Sequence, residues 1–118
     1  MHHLFALRYD SGMVNHHIRK WRKHRGLTLN DLADRMELEP GVRLISDVSL
    51  GRIERGIQPY SQPVLEALAE ALQVTTAQLL SDDPLKDGDV IDITRMLASA
   101  SDDDRKRLLA IVRAAVGA

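Results

Sequence analysis

The sequence predicts an all-α fold, with a five-helix bundle over residues 15–81 and a C-terminal helical extension over residues 82–118. Three observations carry this. Apolar residues recur three and four apart, as in Leu29, Leu32, Ala33 and Met36 or in Leu65, Leu68, Ala69 and Leu72, which gathers them on one side of a 3.6-residue helix. Ser, Thr or Asn precedes most of these runs and glycine follows several, and these residues satisfy the orphan amides and carbonyls at helix ends. The composition is 44% hydrophobic and only 3% aromatic, with 7 Gly and 4 Pro, which suits a small core of Leu, Ile, Val and Ala and shows no dominant β pattern.

At 118 residues the chain has room for one core. Lacking cysteine, it has neither disulfides nor thiolate zinc sites. No apolar run approaches the roughly 20 residues of a membrane span, and no signal peptide is read. A cytoplasmic location with no membrane partner is therefore expected. The formal charge of −1 hides an asymmetry: residues 15–60 carry 9 Lys and Arg against 6 Asp and Glu, whereas residues 61–118 carry 6 against 10. Clamping a polyanion needs one basic face, so the near-neutral total is compatible with it. The acidic half is expected to point away.

Residues 1–14 have no helical period, although Phe5, Leu7 and Tyr9 alternate like a short strand before Gly12 interrupts. They read either as an arm reaching a partner subunit or DNA, or as a frayed leader upstream of a start at Met13. Residues 15–25 read as the first helix, with Asn15 as cap, Ile18 and Trp21 inward, and Gly26 as the stop. Arg19, Lys20, Arg22, Lys23 and Arg25 concentrate charge of one sign on it, which suits phosphate contact, Arg19 included. His16, His17 and His24 lack an acidic or thiol companion at ligand spacing, so no metal site and no cofactor is expected. Thr28 caps the second helix, with Asp31 three residues on as a weaker capping box. Within it Ala33 is small where two helices would cross closely.

In residues 37–45, Pro40-Gly41 is a turn signal between the alternating triplets Glu37-Leu38-Glu39 and Val42-Arg43-Leu44. The stretch is either a small hairpin or an ordered loop, and Arg43 within it has the reach for a phosphate. Function turns on residues 46–56, Ser-Asp-Val-Ser-Leu-Gly-Arg-Ile-Glu-Arg-Gly. Ser46 is the cap, Gly56 the stop, and Leu50 and Ile53 face a core. Asp47, Val48, Gly51, Arg52 and Arg55 are then left pointing elsewhere. That set is odd for mere solvent exposure: it holds an apolar residue, a glycine costing about 1 kcal/mol of helix propensity, and two guanidiniums that suit phosphate or guanine. It reads as a helix to be laid into the DNA major groove.

After a connector at 57–60, Ser61 caps a helix over 62–72 with Pro63 in its first turn, where the missing N–H does no harm. Thr75 or Thr76 opens a short fifth helix. Residues 81–88, Ser-Asp-Asp-Pro-Leu-Lys-Asp-Gly, read as a turn-rich boundary. Two helical segments follow, one over about 90–98 and one capped by Ser101, with Asp102, Asp103 and Asp104 facing the positive end of its dipole. In the last, Leu108, Leu109, Ile111, Val112 and Val116 give an apolar face wide enough that it must cover something, on the same chain or on a second copy.

On Arg-Gly-Leu-Thr at 25–28, Leu-Ala-Asp-Arg-Met at 32–36, Gly-Arg-Ile-Glu-Arg-Gly at 51–56, and Leu-Ala-Glu-Ala-Leu-Gln-Val with Leu-Leu at 68–80, the chain resembles the Cro/repressor-type (XRE-like) helix-turn-helix family of phage and bacterial regulators, over roughly residues 15–80. The resemblance implies a repressor-like bundle with residues 46–55 as recognition helix. It places base reading on Asp47, Val48 and Arg52, phosphate contacts on Thr28 and Arg55, and a structural ion pair between Arg22 and Glu54. That pair has its own physical sense, since an unpaired Glu54 beside phosphates would repel them and a guanidinium can neutralise it bidentately. Two features depart from the family pattern: the connection at 37–45 is several residues longer than the family's tight turn, and Leu29 stands where many members have a glutamine that assists DNA contact. Asp47 either accepts from a cytosine amino group or serves the helix N-terminus, Val48 suits a thymine methyl, and Arg52 suits a guanine.

The function expected is a sequence-specific DNA-binding transcriptional regulator, a repressor, acting as a homodimer on an inverted repeat with recognition helices about 34 Å apart. Two alternatives stand beside it. One is the antitoxin of a toxin–antitoxin pair, whose C-terminal helix would hold the toxin or another protein partner. The other is an interaction module that has kept the bundle and lost DNA binding, for which Asp47 and Gly51 speak. Enzyme function is not expected, because no nucleophile, base and orienting group can be argued together.

Overall fold

The computed structural model describes residues 14–117, and within them seven helices and a two-stranded sheet follow one another. The order is α1 (Ile18–His24), α2 (Leu29–Arg35), β1 (Glu37–Glu39), β2 (Val42–Arg43), α3 (Asp47–Glu54), α4 (Gln62–Leu72), α5 (Thr76–Ser81), α6 (Pro84–Ser99) and α7 (Asp102–Val116). The described residues are thus all-α apart from one small hairpin, and the strand-like alternation at Phe5, Leu7 and Tyr9 lies outside them. The chain forms two compact units, one up to Lys86 and one from Asp87.

In the first unit the caps sit where local chemistry puts them. Thr28 and Asp31 form a reciprocal capping box at the start of α2, Thr75 and Gln78 do the same for α5, and Ser46 and Ser61 accept amides at the starts of α3 and α4. The apolar stripes meet in one core of Ile18, Trp21, Leu32, Ala33, Met36, Leu50, Ile53, Leu65, Leu68, Leu72 and Leu79. Trp21 is wholly buried, and its indole N–H donates to the Asp82 carbonyl at 2.9 Å, so that nitrogen is not stranded. The C-terminus of α4 has no basic residue of its own in the last turn. Arg25, stacked over Trp21 at 5.3 Å, donates through Nε to the Leu72 carbonyl at 2.8 Å, and Arg35 reaches the Ala71 carbonyl at 3.4 Å. These cations neutralise the negative end of that helix from outside it.

Two boundaries differ from the sequence expectation. Helix α1 starts at Ile18, so Asn15 is not its cap. His17 holds that position without a side-chain bond, and its N–H donates to the Leu79 carbonyl at 3.0 Å, so tertiary packing against α5 sets the start. Helix α6 begins at Pro84, not near residue 90, and runs straight through Gly88. The Asp83 carboxylate accepts the Leu85 N–H at 3.0 Å, and Pro84 takes a first-turn position where it needs no donor. That N–H, with Lys20 at 3.0 Å, holds the Asp83 carboxyl below its usual range. Residues read as a turn are therefore a helix start.

The second unit holds the rest of α6 and all of α7. Ser101 caps α7 through the Asp104 N–H. Arg105 ties the turn between the two helices, donating to the Leu97 carbonyl at 3.2 Å and the Ala100 carbonyl at 3.4 Å. No residue of α7 is buried, and Ile111 and Val116 are 64% and 70% exposed.

Candidate nucleic-acid interface

Helix α3 is held by its inner side. Leu50 and Ile53 are buried in the core, and Glu54, 7% exposed, is buried beside them. Arg22 of α1 grips that carboxylate with two prongs, Nε to Oε2 at 2.6 Å and Nη2 to Oε1 at 3.0 Å, while its Nη1 donates to the Leu27 carbonyl at 2.8 Å. A bidentate pair with a third bond to the backbone fixes both rotation and position, so α3 cannot roll without breaking it. After α3, the Ile57 and Gln58 N–H groups both turn back onto the Arg52 carbonyl, and Gly56 takes the left-handed conformation (φ +75°) that this reversal requires.

His16 secures the same end. Its Nε2 lies 3.1 Å from the Ile53 carbonyl, which can only accept, so Nε2 carries the proton and Nδ1 is left to accept the Ile18 N–H at 3.5 Å. The ring packs edge-on against Tyr60. Burial pushes the imidazole pKa below its usual value of 6.5, and the Ile53 carbonyl and Glu54 only partly offset that. From the sequence alone His16 stands only as a candidate metal ligand. Nothing local in the sequence marks it as a helix anchor, because its partner lies 37 residues away.

The outward face of α3 presents Val48, 58% exposed, with Arg52 and Arg55. Neither arginine has an ion pair or hydrogen-bonding side chain among the described residues. Asp47 Oδ1 accepts the N–H of Val48 at 3.0 Å, which engages the carboxylate at its own helix N-terminus. Gly51 does not belong to this face. It is buried, and a Cβ there would lie 3.3 Å from Leu29 Cδ1 and 3.3 Å from Arg55 Nη1. The glycine is where α2 and α3 approach, and Leu29, in place of a polar residue, packs into that approach. The Arg55 guanidinium lies folded back over it.

The remaining expected contacts divide. Arg19 and Thr28 are exposed, Thr28 with its hydroxyl oxygen accepting the Asp31 N–H. Of the cations expected to make α1 a phosphate binder, Lys20 is paired with Asp83, Arg22 with Glu54, and Arg25 is engaged at the end of α4. Arg43 lies in β2 of the hairpin, which pairs antiparallel with Glu37 opposite Arg43 and turns at Gly41 (φ +80°). Its guanidinium is engaged with α2: Nε donates to Asp34 Oδ1 at 2.9 Å, and Nη2 to Asp34 Oδ1 at 2.5 Å and Asn30 Oδ1 at 2.6 Å. The roles of Asn30 and Asp34 were not read from the sequence, although their spacing of four along α2 places them on one face.

Two successive helices, α2 and α3, joined by a connection and crossing at a glycine, with the second presenting arginines outward, form the helix-turn-helix arrangement. The helix-turn-helix domain family matches residues 16–81 of the chain. The chain belongs to that family. Its span falls on the region of the XRE-like resemblance, and α3 is the second helix of the arrangement. No curated protein and no solved structure matches the chain. Among the described residues no group of His, Cys, Asp or Glu is placed to hold a metal ion, and no helix is long and apolar enough to cross a membrane.

Proposed function

We propose that this helix-turn-helix protein is a sequence-specific transcriptional regulator, a repressor, that binds an inverted-repeat operator as a homodimer. The observation that carries the reading is the division of α3. Its inner side is locked by Leu50, Ile53 and the Arg22–Glu54 pair, and its outer side offers Val48, Arg52 and Arg55 without acidic partners among the described residues. Arg52 takes a guanine edge through two parallel N–H bonds, Val48 a thymine methyl, and Arg55 and Arg19 phosphates, with the Thr28 hydroxyl still able to donate to one. Asp47, bonded to its own helix N-terminus, lines the base edges and favours no base strongly.

One recognition helix reads too few base pairs alone, so a second copy is required, and α7 supplies the surface. Among the described residues none on α7 is buried, which leaves its apolar side open to a partner. Leu108, Leu109, Ile111, Val112 and Val116 lie exposed on α7, and a second copy covers them in this reading.

A mobility-shift titration at fixed salt, on inverted repeats from the DNA upstream of the protein's own gene, tests the assignment. Arg52→Ala is expected to lose about 1–3 kcal/mol and to relax preference at one base position, and Arg55→Ala to weaken all duplexes alike. Unchanged affinity in both variants refutes it. An antitoxin role would instead leave residues 102–116 unprotected until a toxin is added.

A further inference from the structure

The connection between α2 and α3 contains a hairpin, and a longer connection would ordinarily let the second helix swing. We propose that Arg43 is a positioning residue for DNA recognition, whose bonds to Asn30 and Asp34 clamp the hairpin to α2 and so fix the direction from which the chain delivers the N-terminus of α3. This rests on α3 being the DNA-reading element.

The geometry favours a clamp over a direct phosphate contact. Two of the three guanidinium nitrogens already bond to Asp34 and Asn30, and the Asp34 carboxylate beside them cancels the charge that a phosphate would seek. Both partners lie on one face of α2, so the guanidinium spans a turn of that helix. A second tie stands next to it, where the Leu44 N–H donates to the Met36 carbonyl at 3.0 Å. From Arg43 to the Ser46 cap there are three residues, at most about 10 Å of extended chain. Play at the clamp therefore reaches Ser46 and, through its bond to the Ser49 N–H, the first turn of α3 that carries Asp47 and Val48. The clamp stands in for the stiffness that a tight turn provides.

The test uses the full chain and three variants: Arg43→Ala, Arg43→Lys, and the charge exchange Arg43→Asp with Asp34→Arg. Duplex affinity is measured over a salt series, because each phosphate contact contributes about 0.9 to the slope of log K against log salt. The clamp predicts roughly fivefold weaker binding for Arg43→Ala, the effect of about 1 kcal/mol, with the salt slope unchanged. Partial recovery is expected in Arg43→Lys and fuller recovery in the exchange. A slope reduced by about one means that Arg43 touches phosphate itself and overturns the clamp, as does unaltered affinity. Amide hydrogen exchange without DNA reads the clamp separately. Faster exchange at Ser49 and Leu50 in Arg43→Ala supports it, and unchanged exchange overturns it. If the wild type binds no duplex while that exchange still quickens, the DNA-reading assignment fails and the clamp stands.

Discussion

Replacing Gly51 by alanine sets two terms of known sign against each other. Alanine in a helix interior is better than glycine by about 0.8–1 kcal/mol, because the unfolded chain loses less freedom. Against this, the new methyl meets Leu29 Cδ1 and Arg55 Nη1, each 3.3 Å from the Cβ position, which is a few tenths of an ångström too close. Both neighbours are the far ends of flexible side chains; Arg55 is exposed and swings to another staggered rotamer at little cost, so only Leu29 takes an off-rotamer torsion, about 0.5–1.5 kcal/mol. Urea denaturation should then give a stability within about 0.5 kcal/mol of wild type with an unchanged m-value. Duplex affinity should nonetheless fall, because the Arg55 guanidinium is pushed off its seat over residue 51. A loss above about 2 kcal/mol would mean that the α2–α3 approach cannot yield, and unaltered DNA binding would mean that Arg55 needs no seat there.

Further outcomes follow from the same contacts. Arg22→Ala strands the Glu54 carboxylate in the core and should destabilise the bundle by about 3–5 kcal/mol in the same denaturation assay. A loss below 1 kcal/mol would show that water reaches that carboxylate. Because burial holds the His16 pKa below 6.5, the unfolded chain takes up that proton first. Its contribution is complete above pH 6.5, declines as pH falls through that value, and levels off below the folded-state pKa, so His16→Gln should flatten the melting temperature between pH 5 and 7; an unaltered slope excludes His16 as the source. Ile111→Asp puts a charge on the exposed face of α7 and should convert a dimer to a monomer by light scattering, whereas a wild type monomeric at tens of micromolar contradicts dimerisation through α7.

Much of the bundle was legible because its determinants are local. Thr28, Ser46, Ser61, Thr75 and Ser101 act within three residues, and each caps the helix that the pattern assigns to it. The stripes of α2 and α4 needed only the helical period. Most of the misreadings concern residues whose roles depend on a distant partner. Gly51 reads as an outward oddity until Leu29 is placed against it, and Asn15 reads as a cap until Leu79 fixes the chain at His17. Asp83-Pro84 fits a turn and a helix start equally well in sequence. The Arg22–Glu54 geometry was anticipated only through the family resemblance, since no local rule links residues 32 apart. The cations of α1 show the same limit, because a run of positive charge does not reveal which members Asp83, Glu54 and the end of α4 engage.

Amide chemical-shift mapping of the full chain, titrated with a duplex selected from a random library, tests most directly whether DNA meets the outer face of α3. The largest changes are expected at Asp47, Val48, Arg52 and Arg55, with smaller ones at Thr28 and none at the buried Leu68 and Leu72 of α4. Changes confined to residues 87–117, or a face of α3 left silent at saturating duplex, would contradict the account.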